Sequence, residues 1–208
     1  MLNNYDKIAN YYDSLSRLVF GKSQIDAQID QLKNIVENSS ILIVGGGTGW
    51  ILEEITKLKL TGLKITYVEI SPKMVELSKT RNYGSSEVVF INSGIEEFTD
   101  KKDFDIILTP FLFDNFSAKR CIKVFQKLNL MLNKGGLWFF VDFNTRSKGG
   151  ILWKKTFLKV MYSFFNLISN VEAKKLVDMA PCYQGAGYKV IEERFYYGQF
   201  IKAVVYQK

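Results

Sequence analysis

The segment Ile41-Leu42-Ile43-Val44-Gly45-Gly46-Gly47-Thr48-Gly49-Trp50 constrains this chain more than any other. A short apolar run that ends in consecutive glycines suits a buried parallel strand closing in a tight turn. A helix is expected to follow over about 50–59. Glycines at such a turn let the backbone approach a ligand closely, and the helix beyond aims its first N–H groups at that ligand. The next strand, Lys64–Ile70, carries Glu69 twenty residues beyond Gly49. A carboxylate at that point can accept both ribose hydroxyls of an adenosine ligand.

The spacing of the glycines narrows the ligand further. A dinucleotide site wants G-x-G-x-x-G/A, with a small third residue where helix packs on strand. Counted from Gly45 and Gly47, that third position is Trp50, which is too large. The pattern is G-x-G-x-G, through Gly45, Gly47 and Gly49, and it argues against a nicotinamide cofactor. No G-x-x-x-x-G-K-[ST] phosphate loop is present, which argues against ATP hydrolysis.

The rest of the chain alternates strand and helix patterns. Helices are expected over 23–37, capped by Ser23 with Ile25, Ile29, Leu32 and Val36 on one face, and over 72–82, opened by Ser71-Pro72. Strands are expected at Glu87–Asn92, Phe104–Thr109 and Leu137–Phe143, with a helix Ala118–Leu132 stopped by Asn133-Lys134-Gly135-Gly136. Helices over 151–169 and 172–183 and a closing antiparallel pair, Tyr188–Tyr196 and Phe200–Tyr206, complete the pattern. The fold class is α/β: a Rossmann-like, doubly wound, mainly parallel seven-stranded sheet with an antiparallel last strand. The 208 residues suit one domain. Residues 1–22 would serve it as an N-terminal lid, and 147–186 as substrate-cap helices.

Composition excludes several chemistries. Histidine is absent, which removes Ser-His triads, His general bases and zinc-His sites. Cys121 and Cys182 have no metal-ligand spacing and form no dense disulfide framework, as in a reducing, cytoplasmic compartment. The start, MLNNYDKIANYYD, lacks a signal-peptide pattern, and no uninterrupted apolar run reaches roughly 18 residues. A net charge of +7 permits an anionic partner without choosing one.

Taken in order along the chain, these segments resemble the class I S-adenosylmethionine-dependent methyltransferases. ILIVGGGTG resembles the family's first motif and YVEIS, with Glu69, its second-strand acid motif. INSGIEEF (91–98) occupies the adenine-contacting segment, FDIILTPFLFDNF (104–116) the strand-four motif, and LNLMLNKGGLWFFVDF (128–143) the approach to strand five. Upstream, YDKIANYYD (5–13) is similar to the lead-in of methyltransferases acting on quinones and other small lipophilic substrates. The resemblance implies S-adenosyl-L-methionine as cofactor. It places Gly45, Gly46 and Gly47 beneath its methionine and ribose parts, Glu69 on the ribose hydroxyls and Ile70 on adenine. Gly94 and Ile95 would border the adenine edge, Thr109 the reactive methyl, and Tyr12 would help close the site. Two positions depart from the family: Ile43 and Gly94 stand where acids are usual. They keep open a second reading, a non-catalytic or weakly binding scaffold with a methyltransferase fold.

Methyl transfer from a sulfonium is a direct displacement, so the protein mainly aligns donor and acceptor. A general base is optional, and Asp114 and Asp142 are the candidates. Tyr5, Tyr11 and Tyr12 could line the acceptor entrance. Residues 151–169 make a basic amphipathic pattern, with an apolar stripe of roughly 160° opposite Lys154, Lys155 and Lys159. That pattern suits a cover over a lipophilic pocket or peripheral membrane contact. A small-molecule acceptor is the expected partner. The charge motivates an RNA methyltransferase as a third reading, but the loop Thr109-Pro110-Phe111 only partly echoes the Asn/Asp-Pro-Pro-aromatic loop of nucleic-acid amino methyltransferases.

Overall fold

The computed structural model describes residues 5–99, 103–144, 156, 172–173 and 175–208. Seven strands among them form one sheet: β1 (Ser40–Val44), β2 (Lys64–Glu69), β3 (Glu87–Asn92), β4 (Phe104–Pro110), β5 (Leu132–Phe143), β6 (Lys189–Tyr196) and β7 (Ile201–Gln207). Their order is β3-β2-β1-β4-β5-β7-β6. The first five run parallel, and β7 lies antiparallel between β5 and β6. This is the expected doubly wound sheet with an antiparallel last strand. The chain builds outward from β1 to β3, then returns to place β4 on the other side of β1. The reversal leaves a crevice beyond the carboxyl ends of β1 and β4, where ligands of such sheets bind.

β1 shows why the core sits on both faces. Its side chains alternate, so Ile41 and Ile43 pack on one side with Ile65, Tyr67 and Phe139. Leu42 and Val44 pack on the other, with Ile107, Leu128 and Trp138. These four side chains are at most 2% exposed, which is why Ile41–Val44 reads as an unbroken apolar run.

The helices are α1 (Tyr12–Phe20), α2 (Ser23–Leu32), α3 (Trp50–Thr56), α4 (Pro72–Lys79), α5 (Ala118–Met131) and α6 (Ala180–Gly185). α4 starts as its sequence directs: the Ser71 hydroxyl accepts from the Met74 N–H (3.1 Å), with Pro72 in the first turn. Three expectations need correction. α2 ends at Leu32, and Ser23 lies inside it without capping. Its buried face is Gln24, Ala27, Gln31 and Leu32, while Val36 is 65% exposed. Glutamine is tolerated there because Gln31 Nε2 donates to the Phe140 carbonyl (3.2 Å), so the buried amide keeps a partner. The helix expected over 172–183 is confined to α6, because Pro181 fits a first turn but would remove an interior hydrogen bond from a longer helix. β5 begins at Leu132, with a register irregularity opposite Phe104–Ile106 that accommodates Asn133–Gly136. The expected 151–169 helix lies outside the described residues, apart from Thr156.

Behind β4 and β5 the core is aromatic. Phe125 stacks on Trp138 (5.3 Å, 13°) and Tyr183 on Tyr206 (3.9 Å, 6°). Trp138 Nε1–H donates to Thr109 Oγ1 (2.9 Å), and both residues are fully buried. Thr109→Val keeps the shape but leaves the indole N–H without its acceptor. The expected loss is about 1–3 kcal/mol, read as a lower urea midpoint at unchanged m-value.

Candidate functional site

A cavity of about 470 Å³ opens at the crevice, beyond the carboxyl ends of β1, β2 and β4 and beneath α1. The turn after β1 forms its floor. Gly45 (φ +70°) and Gly47 (φ +63°) occupy the left-handed region that side chains avoid. Gly46 is required for a different reason: a Cβ there would lie 2.5 Å from the Tyr67 ring and hydroxyl. Tyr67 is itself fixed, since it is fully buried and donates to the Gly47 carbonyl (2.9 Å).

Glu69 stands at the end of β2 beside this turn. Its Oε2 accepts from Gly47 N–H (3.1 Å) and its Oε1 from Ser71 N–H (2.9 Å). Each oxygen retains a second lone pair for a further donor, which is what two ribose hydroxyls would require. The side chain is 6% exposed, and burial raises its pKa to about 7 against the opposing pull of the backbone donors. Ile70, Ser93, Gly94 and Ile95 continue the wall. Asn92, which the sequence reading did not single out, ties the two strand ends together: its Nδ2 donates to the carbonyls of Glu69 and Ile70, both at 3.0 Å.

The N-terminal segment is clipped over the turn. Thr48 Oγ1 donates to Asp13 (2.8 Å), and Arg81 reaches both Asp13 (3.0 Å) and the Thr48 carbonyl (3.0 Å). Asp6 accepts from the Ser71 hydroxyl and the Lys73 N–H, while Tyr5 donates to Asn115. These clips bring Tyr12 against the cavity, where burial and then the charges of Asp114, Asp13 and Glu69 raise its phenol pKa well above the ordinary value. Asp6, Asp13 and Arg81 were missed in the sequence, although the repeated Tyr-Asp pairs at 5–6 and 12–13 were a usable signal. Ile43, where the family's acid is usual, is fully buried against Phe139 on the opposite side of β1. Besides Glu69, a second carboxylate reaches the turn, that of Asp13 on α1, which accepts from Thr48 Oγ1.

The two candidate bases form a pair. Asp142 Oδ2 accepts from the Asp114 backbone N–H (3.2 Å) and its Oδ1 from Phe143 N–H (2.7 Å). Both carboxyls are buried, and both pKa values are raised, first by desolvation. Asp114 also feels the charge of Asp142, so Asp114 holds the proton and Asp142, steadied by N–H donors, holds the charge. Asp114 lines the cavity; Asp142 stands behind it, outside the lining. Thr109 is also outside the lining, turned toward Trp138. Its neighbours Pro110 and Phe111 reach the cavity instead, with Phe111 held at φ +48°, a strained conformation for an aromatic residue. Tyr5 and Tyr12 line the cavity, whereas Tyr11 lies outside it, 67% exposed.

A glycine turn and an acid on adjacent parallel strands, at the point where strand order reverses, define a nucleoside-binding domain of the doubly wound class. Residues 41–136 match a family model described as a methyltransferase domain. Malonyl-[acyl-carrier protein] O-methyltransferase 1 of Ilyobacter polytropus is 28% identical over 148 residues, which are 69% of this chain and 52% of that protein. The chain thus spans about half the length of that relative. Two solved structures share the fold. A SAM-dependent methyltransferase from Aquifex aeolicus has a TM-score of 0.59 at 18% identity, covering 96% of each chain. A Burkholderia thailandensis 1,6-didemethyltoxoflavin-N1-methyltransferase, with bound 1,6-didemethyltoxoflavin and S-adenosylhomocysteine, has a TM-score of 0.64 at 13% identity, covering 97% of this chain and 84% of its own. Residues 41–136 thus match a methyltransferase domain, on a fold shared with S-adenosylmethionine-dependent methyltransferases, and S-adenosylmethionine is the cofactor that the site fits. Among the described residues no helix is long and apolar enough to cross a membrane.

Proposed function

We propose that this chain transfers the methyl group of S-adenosylmethionine to a small, lipophilic acceptor. One observation carries the reading: a single cavity joins the glycine turn and Glu69 to an apolar compartment lined by Ile8, Leu15, Phe20, Ile25, Phe111 and Phe143.

When bound, the cofactor supplies an electrophilic methyl on a sulfonium. Glu69 would hold the ribose hydroxyls, and Gly45, Gly46 and Gly47 would lie along the methionine and ribose parts. Ile70, Gly94 and Ile95 would border the adenine, and Tyr12 would help close the site. Thr109 braces the rim from behind through Trp138, leaving Pro110 and Phe111 beside the reacting atoms. The apolar walls position the acceptor and exclude water, and alignment of this kind supplies on the order of 7–11 kcal/mol of a barrier in favourable cases. Asp114 faces the acceptor in its protonated form, as a hydrogen-bond donor, and it becomes a base for the acceptor only after giving up that proton, which burial beside the Asp142 charge opposes. Asp142 acts from behind, as a positioning residue.

Calorimetric titration tests the reading. S-adenosylmethionine is expected to bind with a measurable heat and to raise the melting temperature. A methyl-tritiated cofactor should then pass label into an organic-extractable product. No heat and no thermal shift at millimolar cofactor would reject the enzyme and favour a scaffold with a methyltransferase fold.

A further inference from the structure

We propose that the molecule held in the apolar compartment is an anionic amphiphile, with its apolar body between α1, α2, Phe111 and Phe143 and its charged end on Arg17. The word acceptor applies to it only if the methyl-transfer reading holds.

Arg17 lines the cavity from the last turn of α1. It follows Asp13 by four residues, a spacing that often pairs acid with base on a helix. Here it does not, because Asp13 is turned to Thr48 and Arg81. Among the described residues Arg17 makes no ion pair or side-chain hydrogen bond. The second cation of the lining, Arg120, is satisfied: it pairs with Glu96 and with Glu172 (3.1 Å) and lies over the Phe116 ring at 4.0 Å. The lining carboxyls are committed as well, Asp13 to Arg81, Glu69 to the glycine turn and Asp114 beside Asp142. The α1–α2 compartment therefore presents apolar walls, two amides, Gln24 and Gln28, and one uncompensated guanidinium.

Each part of that arrangement selects a feature of the ligand. A guanidinium offers a planar fork of donors that matches a carboxylate or phosphate better than it matches a hydroxyl. It is exposed at the rim, so its contribution is modest, about fivefold in affinity. The apolar walls act on chain length instead, at about fourfold per buried methylene. The ligand so described has a small anionic head at the rim and a hydrocarbon or aromatic body inside.

The test is competition calorimetry on the full chain with octanoate, hexanoate, octanol and octylammonium. Octanoate should bind about fivefold tighter than octanol, with octylammonium weaker than either, and hexanoate should lose about 16-fold through its two missing methylenes. Arg17→Gln should bring octanoate and octanol together, while Arg17→Lys should keep part of the preference. Equal binding of octanoate and octanol to the wild type would overturn the proposal, and so would a preference that survives in a folded Arg17→Gln protein. Co-sedimentation with phosphatidylglycerol vesicles that octanoate cannot compete away would assign Arg17 to a lipid surface and overturn it too. S-adenosylmethionine is titrated in parallel. Octanoate binding with no cofactor binding would leave this inference standing and remove the methyl-transfer reading alone.

Discussion

Replacing Glu69 with alanine is expected to weaken S-adenosylmethionine binding by at least about 100-fold. The carboxylate would accept both ribose hydroxyls, and hydrogen bonds to a charged group contribute about 1.5–3 kcal/mol each. The same change strands the Gly47 and Ser71 N–H groups that Glu69 now satisfies, so the melting temperature should fall as well. Glu69→Gln separates the two effects. It keeps one acceptor oxygen but turns an amide N–H toward a backbone donor, so affinity should fall with less loss of stability. Affinity should also depend on pH. With a pKa raised to about 7, Glu69 is largely ionised at pH 8 and largely protonated at pH 6. Ribose binding favours the ionised form, so affinity should drop roughly tenfold between those values. Cofactor binding near pH 7 should release a proton, visible as a buffer-dependent heat. The stability linkage runs the other way: the folded protein holds this proton more tightly than the unfolded chain, so ionising Glu69 costs stability as pH rises from about 4.5 to about 7. A Glu69→Ala protein with unchanged cofactor affinity would remove the site assignment.

Gly46→Ala is expected to damage both fold and site, although alanine is among the mildest of substitutions. The added methyl would stand 2.5 Å from Tyr67. Tyr67 is fully buried on β2 and cannot turn outward, so the glycine turn must move or the ring must shift into the core. Overpacking of this kind costs about 1–3 kcal/mol, to which the strained Tyr67–Gly47 hydrogen bond adds. For a chain of this size that is roughly 2–12 °C in melting temperature. If the turn carries the cofactor as proposed, affinity should fall with it. The double mutant with Tyr67→Leu supplies the check: if the clash is the cause, the two changes should be non-additive by at least about 1 kcal/mol. Simple additivity would place the defect elsewhere. Gly47→Ala is a useful contrast, since nothing lies within 4 Å of its added methyl and only the positive φ is violated. Its cost should be about 1–2 kcal/mol and insensitive to Tyr67.

Some of the site was legible because its information is local. A glycine that must adopt positive φ, or admit a neighbouring ring, has no substitute, so Gly45-Gly46-Gly47 announces itself in one dimension. Glu69 follows from its place at the end of the second strand, whereas Ile70, Gly94 and Ile95 were implied only by the resemblance to the methyltransferases; all four line the cavity. α2 was less legible. Its apolar residues suggested one face, and packing selected another, because Gln31 found a carbonyl on β5. Thr109 and Asp142 had the right strands, yet alternation along each strand placed their side chains behind the cavity wall.

The sequence alone determined the parallel sheet, the nucleoside turn and the acid beside it, since each depends on neighbours within one structural unit. Only the tertiary structure decided which partners meet across long stretches of chain. It set Asp13 on Thr48 and Arg81, paired Asp114 with Asp142, and left Arg17 at the rim without a counter-charge among the described residues. Those pairings depend on how α1 and the strand ends pack in three dimensions, and residue spacing carries no record of a contact made across the crevice.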